Sequence, residues 1–152
     1  MDYSQCLREA HQIEVSGEAF YAVMARRARR PERRDKWLAL EKLEIQTKNR
    51  VAAAAAAIGL SLPERTADVR LGRIVAAMLA LLPWRLQMRA MHAITVHATR
   101  TWERMQRDCT DGDPRLLAEL VAHEVAQVDF AVDELRGRSS SSLAHVLGAL
   151  HD

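Results

Sequence analysis

Asp2-Tyr-Ser-Gln-Cys-Leu-Arg-Glu-Ala-His-Gln-Ile-Glu-Val-Ser-Gly-Glu-Ala-Phe-Tyr-Ala-Val-Met-Ala-Arg-Arg-Ala-Arg-Arg30 is one long helical stretch with an acid inside its apolar face. Tyr3, Leu7, Ala10, Glu14, Gly17, Tyr21, Met24 and Ala28 recur at alternating spacings of four and three. That seam belongs to a helix packed lengthwise in a bundle. At about 100° per residue, Glu14 lies roughly 50° from the middle of the face and Glu18 roughly 90° from it, at the border. A carboxylate at Glu14 must be paired, protonated or bound to a metal, because a bare buried charge is too costly.

The same pattern recurs further along the chain. The basic turn Ala25-Arg-Arg-Ala-Arg-Arg-Pro-Glu-Arg-Arg closes the first helix, and Pro31 opens a second. This second helix runs from about Glu32 to Ile58 and stops at Gly59. Its seam is Trp37, Leu40, Glu44, Thr47, Val51, Ala54 and Ile58. From Leu60 to Leu82 a long connection contains a short helix, Val69 to Leu82, apolar on all sides and expected to be buried. A third long helix runs from near Pro83 to about Cys109 with Trp84, Met88, Met91, Ile94 or Thr95, Ala98, Trp102 and Met105 on its face, and no acid among them. Asp113 and Pro114 start the fourth, which ends near Leu135 before Gly137. Its seam is Leu117, Leu120 or Val121, Glu124, Gln127 or Val128, Ala131 and Leu135, with His123 pointing roughly 95° away.

The expected architecture is all-α: a four-helix bundle over residues 1–137, with a long crossover containing a short helix between the second and third long helices. A Ser-rich tether and a short amphipathic C-terminal helix follow over 138–152. Leu143, Val146, Leu147 and Leu150 share one face there and need cover, from the bundle or from a partner. Scarce aromatic residues, 5%, agree with a helical chain.

Short turn, long crossover, short turn resembles the ferritin-like superfamily, the ferritin and rubrerythrin type of bundle. Its di-iron members carry a Glu on the first helix, Glu-x-x-His on the second, a Glu on the third and Glu-x-x-His on the fourth. Glu14 fits the first position, within Glu14-Val-Ser-Gly-Glu-Ala-Phe-Tyr. Glu44-Ile-Gln-Thr47 fits the second with threonine for histidine, and Glu124-Val-Ala-Gln127 the last with glutamine for histidine. The third helix has Thr95 or Ala98 where the acid belongs. The resemblance implies a degenerate di-iron site: Glu14, Glu44 and Glu124 as candidate metal ligands, with Glu18, Thr47 and Gln127 as nearby polar groups. Such a set holds at most one hard cation, iron or manganese, or none at all. The implied function is a metal-binding or oxidoreductase relative with an incomplete carboxylate site. The alternative is a non-enzymatic bundle serving as a structural or partner-binding module, its acids forming a polar network.

Other classes find little support. A net charge of +2 gives no general case for nucleic acid, and the basic residues from Arg26 to Lys36 read as a solvated bundle end. The run Ile74 to Trp84 is too short to span a bilayer. Glycine-rich phosphate loops and Cys-x-x-Cys pairs are absent. Cys6 and Cys109 are expected to be buried thiols, His11 an exposed flank, the location cytoplasmic, and a homodimer an open alternative.

Overall fold

A computed structural model describes residues 2–150 and is all-helical, with no strand among them. Six helices follow in order: α1 Tyr3–Arg27, α2 Pro31–Ala57, α3 Thr66–Leu79, α4 Trp84–Asp108, α5 Pro114–Leu135 and α6 Ala144–Ala149. Residues 1, 151 and 152, the last two belonging to the expected tail, lie outside the described part.

The helix ends follow from local chemistry. Asp2 caps α1 by accepting from the Gln5 amide at 2.8 Å. α1 stops at Arg27, three residues before the expected Arg30: the chain turns extended at Ala28, and Pro31 holds Arg30 extended and takes the first position of α2. α2 closes on Gly59 at φ +72°, with the Leu60 amide donating to the Ala55 carbonyl at 2.9 Å. α5 closes the same way on Gly137, and only glycine takes that left-handed backbone cheaply.

α1 packs on α2, α4 on α5, and α3 lies along α1. α3 comes very close to α1 at Gly72, where a Cβ would collide with the Ser16 carbonyl. The start of α1 meets the end of α4, and the aromatic cluster of Tyr21, Trp37, Trp84 and Phe130 joins the opposite ends. α1 and α2 are therefore antiparallel, α4 and α5 antiparallel, and the crossover makes α2 and α4 parallel. The core falls into two apolar clusters. One is built on Trp37, Met88 and Phe130, the other on Leu7, Val51, Trp102 and Leu120. Between them lies a buried polar layer.

Three expectations are corrected here. Cys6 and Cys109 are paired as a disulfide, with Cα atoms 6.8 Å apart, because the start of α1 and the end of α4 meet at the same end of the bundle. The crossover helix begins at Thr66 and is not buried: Leu71, Ile74 and Met78 are 57%, 59% and 66% exposed. Gly72 and Ala76 alone are buried in it, since a single-sided contact with α1 covers one narrow face. Lys36, expected in the solvated turn, is buried and ion-paired to Glu134.

That pair orders the tail. Glu134 also accepts from Trp84 Nε1 at 2.8 Å and from the Ser142 hydroxyl at 2.6 Å, while Lys36 Nζ donates to the Ser139 carbonyl at 2.7 Å. The serine run thus folds onto an ion pair. α6 then packs on α5 and α2 with Val146 fully buried and Leu143 and Leu150 partly so, while Leu147 stays exposed.

Candidate metal centre

Each seam delivers one polar residue, or a pair one turn apart, into the middle layer. α1 brings Glu14, α2 brings Glu44 and Thr47, and α5 brings Glu124 and Gln127, all buried. α4 closes the layer with Thr95, whose hydroxyl is spent on the Met91 carbonyl at 3.0 Å.

Glu44 is the hub. Its Oε1 accepts from Gln127 Nε2 at 2.6 Å and lies 3.0 Å from His123 Nε2. Tyr21 donates in turn to Gln127 Oε1. Glu124 accepts from Trp102 Nε1 at 3.2 Å through one oxygen, and its other oxygen has no partner. Glu14 is wholly inaccessible; no N–H or O–H donor reaches either of its oxygens, and in its protonated form it hydrogen-bonds to Glu44. Donor atoms of Glu14, Glu44 and His123 all lie within 4.8 Å of one another; Glu124 stands beside that set rather than in it.

His123 corrects the sequence reading, which turned it away from the core. It is buried, 3.8 Å from Glu14 Oε2 through Nε2. Its signal was a second heptad seam on α5: Leu116, Leu120, His123, Gln127, Phe130 and Glu134, all buried. α2 and α6 cover that flank, so the buried arc is wider than one seam. Thr47 then has a role beyond filling a histidine's place. Its hydroxyl donates to the Leu43 carbonyl at 3.0 Å, so toward His123 Nδ1, 2.7 Å away, it accepts. That network puts a proton on Nδ1 and turns Nε2 toward the two acids; Nε2 donates to Glu44 when the ring carries its second proton and offers a lone pair to a cation when that proton is lost. This is how a threonine one turn from Glu44 orients an imidazole from another helix.

Glu18 does not join the layer: it pairs with Lys48, which also holds Glu64 at 2.6 Å. His11, expected on an exposed flank, is buried with Nδ1 unpartnered, and burial lowers its pKa.

The electrostatics follow from crowding. Burial, then the charges of Glu44 and Glu124, push the Glu14 carboxyl well above its usual range. Burial lifts Glu124 to about 7, against the opposing effects of His123 and the Trp102 hydrogen bond. Burial alone would lower His123, but the charge and hydrogen bond of Glu44 outweigh it and hold the imidazole above its usual value. The layer therefore holds protons that a divalent cation would replace.

A cavity of about 580 Å³ opens between α1, α3 and α4. Tyr21, Glu44, Glu124 and Gln127 are among its lining residues, with Ile13, Phe20, Val75 and Met91 as apolar wall. Gly17 keeps the space: a Cβ there would collide with the Glu44 carboxylate.

Comparison with family models, with curated proteins and with solved structures finds no match to this chain.

Proposed function

We propose that the chain is a ferritin-like bundle that binds one divalent metal ion, iron or manganese, through Glu14, Glu44 and His123, with Glu124 as an adjacent carboxylate. The observation that carries this reading is Glu14: fully buried, reached by no donor from the rest of the chain, its only hydrogen-bond neighbour a second acid, and within 4.8 Å of two further ligand atoms. Leaving a buried acceptor unmade costs about 1–3 kcal/mol, more when it is charged, and a cation removes that cost. Two carboxylates and one imidazole suit iron or manganese. Thr47, Gln127 and Thr95, where a second ion would need ligands, argue for one ion rather than a pair.

When bound, such an ion supplies Lewis acidity or one-electron chemistry to a small molecule in the adjoining cavity. The chain's residues supply the rest. Thr47 orients His123, Trp102 steadies Glu124, and Tyr21 fixes the Gln127 amide so that its N–H faces Glu44. The apolar wall limits water and favours an apolar reactant.

A metal-free polar network, serving a structural or partner-binding bundle, is favoured by one observation: Glu44 is already satisfied by Gln127 and His123. Calorimetric titration of chelated protein with Mn²⁺ separates the two. The metal reading expects saturable binding that Glu14→Gln weakens at least about tenfold. Equal, weak uptake by both proteins supports the network.

A further inference from the structure

The structure brings together two surface features that lie far apart in the sequence. The basic turn between α1 and α2 sits against the end of α3, and both line a groove of about 440 Å³ with Arg27, Arg29, Arg30 and Arg33 on one side and Leu81 and Leu82 on the other. Arg33 stacks over Trp84 at 4.7 Å, which fixes this edge. Leu81 is 79% exposed, and Met78, Ile74, Leu82 and Leu86, on α3, the turn after it and the start of α4, are exposed as well. From Val69 to Trp102 the sequence has no acidic residue, while Arg70, Arg73, Arg85 and Arg89 fall within it. Glu32 and Asp35 are the exposed acids of this end, both on α2.

We infer that this end of the bundle docks on an anionic membrane surface, with Leu81, Leu82 and Met78 entering the interface and the arginines of the turn meeting lipid phosphates. Exposed leucines beside a cluster of arginines are the pattern of a peripheral membrane contact. A polyanion such as RNA would use the arginines and leave the leucines in water. A symmetric second copy would press one basic patch against another, with only Glu32 and Asp35 to offset the arginines, since a two-fold contact pairs the same surface with itself. Complementary charge therefore selects the anionic bilayer.

The test is sedimentation of the full-length protein with vesicles of phosphatidylcholine, with and without phosphatidylglycerol. Pelleting is expected with the anionic vesicles and should weaken as salt is raised. Each arginine near the surface contributes about fivefold in affinity, so Arg29→Gln/Arg30→Gln should bind about 25-fold less tightly. Leu81→Ser/Leu82→Ser should also lose binding; all four side chains are exposed, and melting curves verify that both variants fold. Equal binding to neutral vesicles, no pelleting at low salt, binding to RNA that the leucine variant retains in full, or a dimer abolished by the leucine variant would each overturn the inference.

Discussion

Gly17 shows how much one missing methyl group governs. It sits on α1 opposite Glu44, and a Cβ there would displace a carboxylate already held by His123 and Gln127. Gly17→Ala should therefore weaken Mn²⁺ binding at least about tenfold. Its effect on stability should be small, because Ala gains about 0.5–1 kcal/mol of helix propensity against the displacement. Calorimetry and urea melts on the same preparation read the two effects separately. A variant that binds metal like the parent would show that Glu44 has room to move and is not a ligand.

At the scale of the elements, the Lys36–Glu134 pair joins α2, α5 and the serine segment, and Trp84 ties in α4. Lys36→Met would strand a buried carboxylate and should cost about 3–5 kcal/mol in urea unfolding. Lys36→Met/Glu134→Gln should recover most of it, since a glutamine oxygen can still accept from Trp84 and the serines. Little of this network was legible in sequence. Lys36 lies among arginines that do face solvent, and Glu134 stands at the border of the seam centred on Glu124. The long helices were legible because α1, α2, α4 and α5 each carry a heptad-spaced and mostly apolar seam, and Pro31, Gly59, Pro114 and Gly137 mark their ends. The acids Glu14, Glu44 and Glu124 were legible because an acid inside such a repeat has no other place to go. His123 was not, since its seam runs beside the more apolar one and only the cover from α2 and α6 buries it. α3 misled for the opposite reason: it packs mainly on α1 and leaves Leu71, Ile74 and Met78 exposed, so composition suggested a burial that the packing does not provide.

At the scale of the whole molecule, a disulfide and a set of protons act on global stability. Cys6–Cys109 links residues 103 apart in sequence, so reduction should cost about 2–4 kcal/mol, measured as a drop in melting temperature on adding dithiothreitol. An unchanged melt would mean that the packing of α1 against α2 and α3 already fixes that end. The protonated polar layer sets a pH slope. Glu124 keeps its proton in the folded chain up to about 7, whereas the unfolded chain loses it near 4.5, so stability falls as pH rises between these values. His123, raised above 6.5, acts in the same direction: its contribution is complete below 6.5 and is lost as pH rises through the folded value. Chelated protein should therefore melt at a lower temperature at pH 8 than at pH 5.5, with a Glu124 contribution of about 2 kcal/mol over that interval. Glu124→Gln should flatten the curve. Bound metal should reverse the trend, because its ligands must be deprotonated.

The central claim is that Glu14, Glu44 and His123 form a metal centre, and metal content measures it most directly. Full-length protein and Glu14→Gln would be purified in parallel from cells supplied with iron and manganese, then analysed for both elements. The expected result is about one ion per chain in the parent and a small fraction of that in the variant. Equal metal content in the two proteins, or less than about one ion per five chains in both, would contradict it.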